Sequence, residues 1–168
     1  TGFTLVTNGF KNEVLLGTPI DTSAITGTIV YNDTSTKKVE NADIAFGNVD
    51  VSTAGAKTLT ATYQGMTATC SVTVLGVKSI EFSGFADELK PGQDLDLSAL
   101  KATVIATNNA KYEITDASKI TVDKSNFNTT LETSSHKETE ITFTCLGVSV
   151  TYKIDVNVAR EDATLVEL

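Results

Sequence analysis

Apolar and polar residues alternate along two long stretches of the chain. Leu59, Ala61 and Tyr63 alternate with Thr58, Thr60 and Thr62, and after Gly65 the residues Met66, Ala68, Cys70, Val72 and Val74 alternate with Thr67, Thr69, Ser71 and Thr73. The same pattern returns at Ile141, Phe143 and Cys145, then at Val148, Val150, Tyr152, Ile154, Val156 and Val158. A period of two with one apolar face describes a half-buried antiparallel strand. Gln64-Gly65 and Leu146-Gly147 separate the runs, where Gly supplies the positive φ of a tight hairpin. Shorter runs predict strands at Phe3 to Thr7, Ile25 to Tyr31, Lys37 to Ile44, Ile80 to Ser83, Ala102 to Thr107, Tyr112 to Thr115 and Lys119 to Asp123.

The two stretches belong to an internal repeat. GFKNEVLLGTPIDTSAITGTIV from Gly9 aligns without a gap on GFADELKPGQDLDLSALKATVI from Gly84, an offset of 75. Gly9, Phe10, Glu13, Gly17, Asp21, Ser23, Ala24 and Thr28 have identical partners in the second copy. The closing hairpins, from Lys57 and Thr139, align at an offset of 82, so the second copy carries about seven extra residues, placed near Ser125 to Lys137. LDLSALKA from Leu95 has a helical look, but its partner IDTSAITG is poor in helix formers, so a turn leading into a strand is expected. The repeat is too long for a solenoid unit and suits two small domains, 1–76 and 77–159. Residues 160–168 form a tail whose ATLVEL resembles the starts of both copies and reads as the beginning of a further module. About seven short strands per copy predict an all-β fold of two β-sandwiches, joined at LGV from Leu75 by a very short linker. Placed end to end, they would span roughly 60–70 Å.

Composition supports this reading and removes several functions. Thr makes up about one residue in six and favours strands. Net charge is −8 and hydrophobic residues are 40%, enough apolar material for a core. The acidic balance lacks the basic stripe that a nucleic acid or an anionic membrane needs. No apolar run reaches the length of a membrane-spanning helix, so no membrane insertion is expected. The chain starts at Thr1 without a leader, which reads as a processed or excised protein.

Chemistry-bearing residues are few. The single histidine, His136, lies in the polar stretch SSHKE beside Ser134 and Ser135 and reads as a solvated loop residue rather than a catalytic base. Cys70 and Cys145 fall on the apolar sides of their strands and read as buried small hydrophobes, with a nucleophile or a disulfide as the less favoured readings. Asp87, Glu88, Asp94 and Asp96 offer oxygen ligands for calcium, but only Glu88 and Asp96 recur in the first copy, as Glu13 and Asp21. Turn capping on a solvated face is the preferred reading. No catalytic, cofactor-binding or metal residue is assigned, and no cofactor is expected.

The frame Gly17-x-x-Ile20-Asp21, then TGTIVY from Thr26 and VDVSTAGAKTLTATYQGMTATCSVTV from Val49, resembles the bacterial immunoglobulin-like domain, group 3. Asp50, Ser52, Gly55, Tyr63 and Gly65 carry the resemblance in the first copy. The second copy departs in its middle, where Cys145 replaces the tyrosine and no Asp-x-Ser-x-x-Gly corner precedes the hairpin. The resemblance implies two tandem immunoglobulin-like β-sandwiches of an exported bacterial protein, extracellular or at the cell surface. Their expected role is a non-catalytic spacer of the adhesin-stalk type, with adjoining modules in a longer chain. It implies no shared catalytic or ligand residues. The glycosylation patterns at Asn32 and Asn128 then read as accidental, and a Lys-Asn isopeptide bond has no marked trio of residues. The alternatives are a module binding a cell-wall polysaccharide or a host surface protein, with Asn108 to Lys137 as its expected place, and a phage or surface-layer decoration domain.

Overall fold

A computed structural model describes residues 1–132 and 135–158. Fourteen strands are found among them, seven in each copy of the repeat. The first seven are β1 (Gly2–Val6), β2 (Glu13–Leu15), β3 (Thr26–Val30), β4 (Thr36–Val39), β5 (Ala45–Phe46), β6 (Gly55–Tyr63) and β7 (Met66–Leu75). The second seven are β8 (Val77–Ser83), β9 (Glu88–Leu89), β10 (Lys101–Ala106), β11 (Lys111–Ile114), β12 (Thr121–Asp123), β13 (His136–Cys145) and β14 (Val148–Asn157). The chain divides into two compact units between Val77 and Lys78, with Ala106–Asn108 grouped with the first. Among the described residues, no helix is long and apolar enough to cross a membrane.

The first unit has a three-stranded sheet in the order β1-β3-β4 and a four-stranded sheet in the order β2-β7-β6-β5. The second has β8-β10-β11 and β9-β14-β13-β12, the same order strand for strand. Each sheet follows from alternation. Leu59, Ala61, Val72 and Val74 turn inward and are buried, while Thr58, Thr60, Thr69 and Ser71 face solvent. Apolar residues of both sheets fill the first core: Phe3, Ile29 and Val39 meet Ala61, and Ile25 meets Leu59, Val72 and Val74. A Cβ on the buried Gly27 would overlap the Phe3 ring, so the close packing of Phe3 across β3 depends on glycine there.

The second core adds a cluster of aromatic rings to its aliphatic residues. Phe143 and Tyr152 lie 4.9 to 6.5 Å, centroid to centroid, from Phe82, from Phe85 and from one another, and the Phe82 amide donates to the Tyr152 hydroxyl at 2.8 Å. The hairpin alignment explains the change. Ala61, Tyr63 and Cys70 of the first unit stand where Phe143, Cys145 and Tyr152 stand in the second. Tyrosine and cysteine have exchanged strands. In the first unit Tyr63 packs instead on Phe3, at 5.9 Å.

Both long hairpins close on two residues in the left-handed region, Gln64 (φ 47°) with Gly65 (φ 81°), and Leu146 (φ 50°) with Gly147 (φ 76°). This is the turn whose twist matches the flanking strands. It places a non-glycine residue at positive φ in each hairpin, which the pattern alone did not predict. Two predicted strands are shorter than expected. The run from Lys37 to Ile44 ends as a strand at Val39 and continues as a 3-10 turn at Asn41–Asp43. The Asn41 side-chain amide donates to the carbonyls of Thr22 and Ile25 at 2.7 and 2.8 Å and draws the chain out of the sheet. Lys119 likewise closes a 3-10 turn, Ala117–Lys119, before β12 begins. LDLSALKA makes a turn closed by the Leu100 amide on the Leu97 carbonyl at 3.1 Å, and then enters β10. The short strands β2 and β9 were not predicted. Each pairs parallel with the last strand of its own unit.

Candidate functional site

Acidic side chains lie mostly in turns. At Asp21, Asp33, Asp50, Asp96, Asp116 and Asp123 the amide of the serine two residues on donates to the carboxylate at 2.8 to 3.0 Å. A short acceptor bonding the backbone two residues ahead fixes a turn. These bonds from serine hydroxyls and amides hold all six carboxylates below their usual range. Asp50 is the most strongly depressed. It also accepts from the Thr53 hydroxyl at 2.8 Å and lies 3.6 Å from the Lys57 ammonium.

The four acids considered for calcium have separate tasks. Asp96 caps Ser98. Asp94 accepts from Lys124 and from the Leu95 amide, both at 2.9 Å. Glu88 accepts from the Asn157 side chain at 2.9 Å. Asp87 contributes its backbone carbonyl to the Asp155 amide at 2.8 Å. Their first-copy counterparts, Glu13 on β2 and Asp21 in a turn, are exposed. Among the described residues, no group of three or more His, Cys, Asp or Glu is placed to hold a metal ion.

His136 is the first residue of β13, not a loop residue as expected, and is exposed opposite Asn157. Its Nε2 lies 3.3 Å from the Asp155 carboxylate. Ser135 is exposed beside it, and Ser134 lies outside the described residues. Cys145 is 1% exposed, Cys70 is half-buried, and both are free thiols. Burial pushes both thiols up, away from the reactive thiolate. The Asn128 side chain caps its own turn by accepting from the Thr130 amide at 2.9 Å, while Asn32 is exposed at the β3–β4 turn.

The described part of the second copy's extra segment is bonded down onto its own unit. The copies are offset by 75 at Gly9 and Gly84, by 76 at Ile44 and Ile120, and by 82 from the hairpin on, so six of the seven fall between Val122 and Thr139. Thr139 holds this segment. Its hydroxyl donates to the Asn126 carbonyl at 2.9 Å and accepts from the Asn128 amide at 2.7 Å. It is 3% exposed, and hydrogen bonding offsets the cost of burying its hydroxyl. The Thr129 carbonyl takes the Gly92 amide at 3.0 Å, as the Val51 carbonyl takes the Gly17 amide at 2.8 Å in the first unit. Lys124 lies 5.5 Å over the Phe127 ring. Thr139 stands at the position of Lys57, whose ammonium holds the Asp50 corner through Thr53 at 2.6 Å. The sequence pattern did not reveal Thr139, because its partners lie more than ten residues away.

Two features mark the surface of the first unit. A cleft of about 480 Å³ is lined by Pro19, Ile20, Phe46, Asn48 and Val49, with Leu59 among its walls. None of its lining residues is ionisable. The outward face of the β6–β7 hairpin carries facing hydroxyl pairs, Thr58 with Ser71, Thr60 with Thr69, and Thr62 with Thr67. The same face of the second unit carries Thr142 with Thr151 and Thr144 with Ser149, and then turns ionic at Glu138, Glu140, Lys153 and Asp155.

Residues 9–74 match the bacterial Ig-like domain, group 3. An exo-beta-1,6-galactobiohydrolase of Bifidobacterium longum subsp. longum is 37% identical over 87 residues, 49% of this chain. The matched part is only 6% of that relative's length. Among solved structures, domains 4 and 5 of the S-layer protein SbsC align at 16% identity with a TM-score of 0.36, covering 94% of this chain and 98% of that one. Domains 4–9 of the same surface-layer protein align at 17% identity with a TM-score of 0.34, over 94% of this chain and 30% of that one.

Proposed function

We propose, on the premise that residues 9–74 are a bacterial Ig-like domain of group 3, that this chain is a non-catalytic spacer in a bacterial extracellular or cell-surface protein. The second unit is then a divergent module of the same kind, and further modules adjoin in a longer chain. The joint carries this reading. β7 ends at Leu75 and β8 begins at Val77, so Gly76 alone separates strand from strand. A link of one residue is a connection between folded parts rather than a flexible tether. The catalysis or recognition served by the spacer belongs to another part of the parent protein, as the small share of the galactobiohydrolase matched here also suggests.

Limited proteolysis of the purified chain tests this reading. With thermolysin, which cuts before apolar residues, resistance around Leu75–Val77 is expected while exposed loops are nicked. Cleavage there as fast as in an exposed loop would overturn the spacer.

A second reading, binding of a neutral polysaccharide, is favoured by the uncharged hydroxyl pairs on the β6–β7 face. Seven outward positions from Thr58 to Thr73 are Thr or Ser in a chain of net charge −8. Affinity electrophoresis in gels containing neutral glycans, β-1,6-galactan among them, decides between the readings. Retardation that disappears in Thr60→Glu, and persists when 125–137 is deleted, would establish this face. Retardation lost only on that deletion would move the site to the second unit. Unchanged mobility on every glycan rejects polysaccharide binding.

A further inference from the structure

We infer that the short parallel pairings, β2 with β7 and β9 with β14, are shear clamps of unequal strength, so that the second unit yields before the first when the chain is stretched. In the first unit Glu13, Val14 and Leu15 pair in parallel with Thr73, Val74 and Leu75. Two further bonds flank these pairs: the Thr73 amide donates to the Asn12 carbonyl at 2.7 Å, and the Leu16 amide to the Leu75 carbonyl at 3.0 Å. β1, paired with β3, lies N-terminal to β2, so once β1 is drawn off, β2 receives tension from its N-terminal end and β7 from its C-terminal end. In a parallel pair these pulls run in opposite directions along the strands. The bonds are loaded side by side and must fail together, whereas an antiparallel hairpin pulled at its open end parts one bond at a time.

The second unit repeats the device with one pair fewer. Glu88 and Leu89 pair with Asp155 and Val156, and the Asp155 amide reaches the Asp87 carbonyl at 2.8 Å. The pairing then stops, for a reason visible in the residues. Pro91 occupies the position of Leu16 and has no amide hydrogen to give to Asn157, the counterpart of Leu75. The bond from the Asn157 side chain to Glu88 at 2.9 Å is exposed and is a weaker substitute for a ladder bond.

This ordering draws its use from the spacer reading, but it stands or falls separately. Single-molecule stretching of the whole chain, held at both ends, tests it. The two units identify themselves, because the second releases about 25 Å more chain, from seven extra residues at ~3.5 Å each. The longer release is expected at the lower force in the unaltered chain. Pro91→Leu should slow forced unfolding of the second unit about fivefold, the equivalent of one backbone hydrogen bond. Leu16→Pro should speed unfolding of the first unit by a similar factor and leave the second unchanged. Circular dichroism verifies that each variant is folded, and either variant alone suffices if the other is not. A longer release at equal or higher force overturns the inference, as does a folded Pro91→Leu chain with unchanged unfolding rate. Neither result would alter protease resistance at the joint, so the spacer reading is judged apart.

Discussion

The Thr139 hydroxyl lies 2.7 Å from the Asn128 amide nitrogen and so joins the start of the second long hairpin to the segment that the first copy lacks. The same oxygen donates to Asn126 at 2.9 Å. Thr139→Val keeps the shape and removes both bonds, leaving a backbone donor and an acceptor in need of partners. A loss of about 2–3 kcal/mol of unfolding free energy is expected, measured by urea denaturation. Thr139→Ser keeps both bonds and should lose ~1 kcal/mol or less. Equal losses in the two variants would show that the methyl group, not the hydroxyl, holds the segment.

Gly9 and Gly84 are aligned in the repeat and share a left-handed backbone, φ 82° and 87°, yet they should respond differently to alanine. A Cβ at Gly9 meets nothing within 4 Å, so only the backbone preference is lost, about 1–2 kcal/mol. A Cβ at Gly84 would overlap the Ala99 carbonyl, and backbone cannot swing aside as a flexible side chain can. Gly84→Ala should therefore lower the melting temperature several times further than Gly9→Ala. Similar shifts in the two variants would contradict the close approach at Ala99.

Tyr152→Phe tests the aromatic core of the second unit. The rings keep their packing, but the Phe82 amide loses the hydroxyl that accepts from it at 2.8 Å. A cost of ~1–2 kcal/mol is expected from the part-buried amide left without its acceptor. Near-ultraviolet circular dichroism should still report a packed core. A variant as stable as the unaltered chain would mean that the hydroxyl contributes nothing there.

The Asp-x-Ser turns set the acid side of the stability profile. Asp50, bonded by the Ser52 and Thr53 hydroxyls and the Ser52 amide, has its folded pKa below the ordinary 3.8. Its contribution is complete above that ordinary value, which the unfolded chain retains, and is lost as pH falls towards the depressed folded value. Asp50→Ala should lower the urea midpoint of the first unit at neutral pH and make its fall in acid shallower. The two other turns of this kind in the first unit, at Asp21 and Asp33, keep some of the slope. An acid limb unchanged in Asp50→Ala would show that the turn does not depend on the charged carboxylate.

The elements legible in the sequence are those whose physics is local. Alternation from Thr58 to Val74 and from Thr139 to Val158 announces both hairpins, and Gly65 and Gly147 mark their turns. The same signal marks five strands in the first copy and six in the second, and misses β2, β5 and β9. β9 is two residues long and β2 three, too short for any periodicity, and their parallel partners lie some sixty residues away. The 3-10 turn at Asn41 was hidden because its cause is a side-chain amide reaching back to Thr22 and Ile25. Aligned copies expose what either copy alone conceals. Pro91 is an ordinary turn residue until Leu16 is set against it, and the Tyr63–Cys70 and Cys145–Tyr152 exchange is visible only when both hairpins are in register.

That exchange leaves one thiol in each unit, Cys70 half-buried and Cys145 1% exposed. The protein thus carries a native chemical clock in each half. Modification of Cys145 by a thiol reagent must wait for the second unit to open, so its rate counts those openings without any introduced label. Cys70, nearer the surface, reports smaller excursions of the first hairpin. Reading the two side by side would resolve the stability of each half in the intact chain, where a single melting curve gives only their sum.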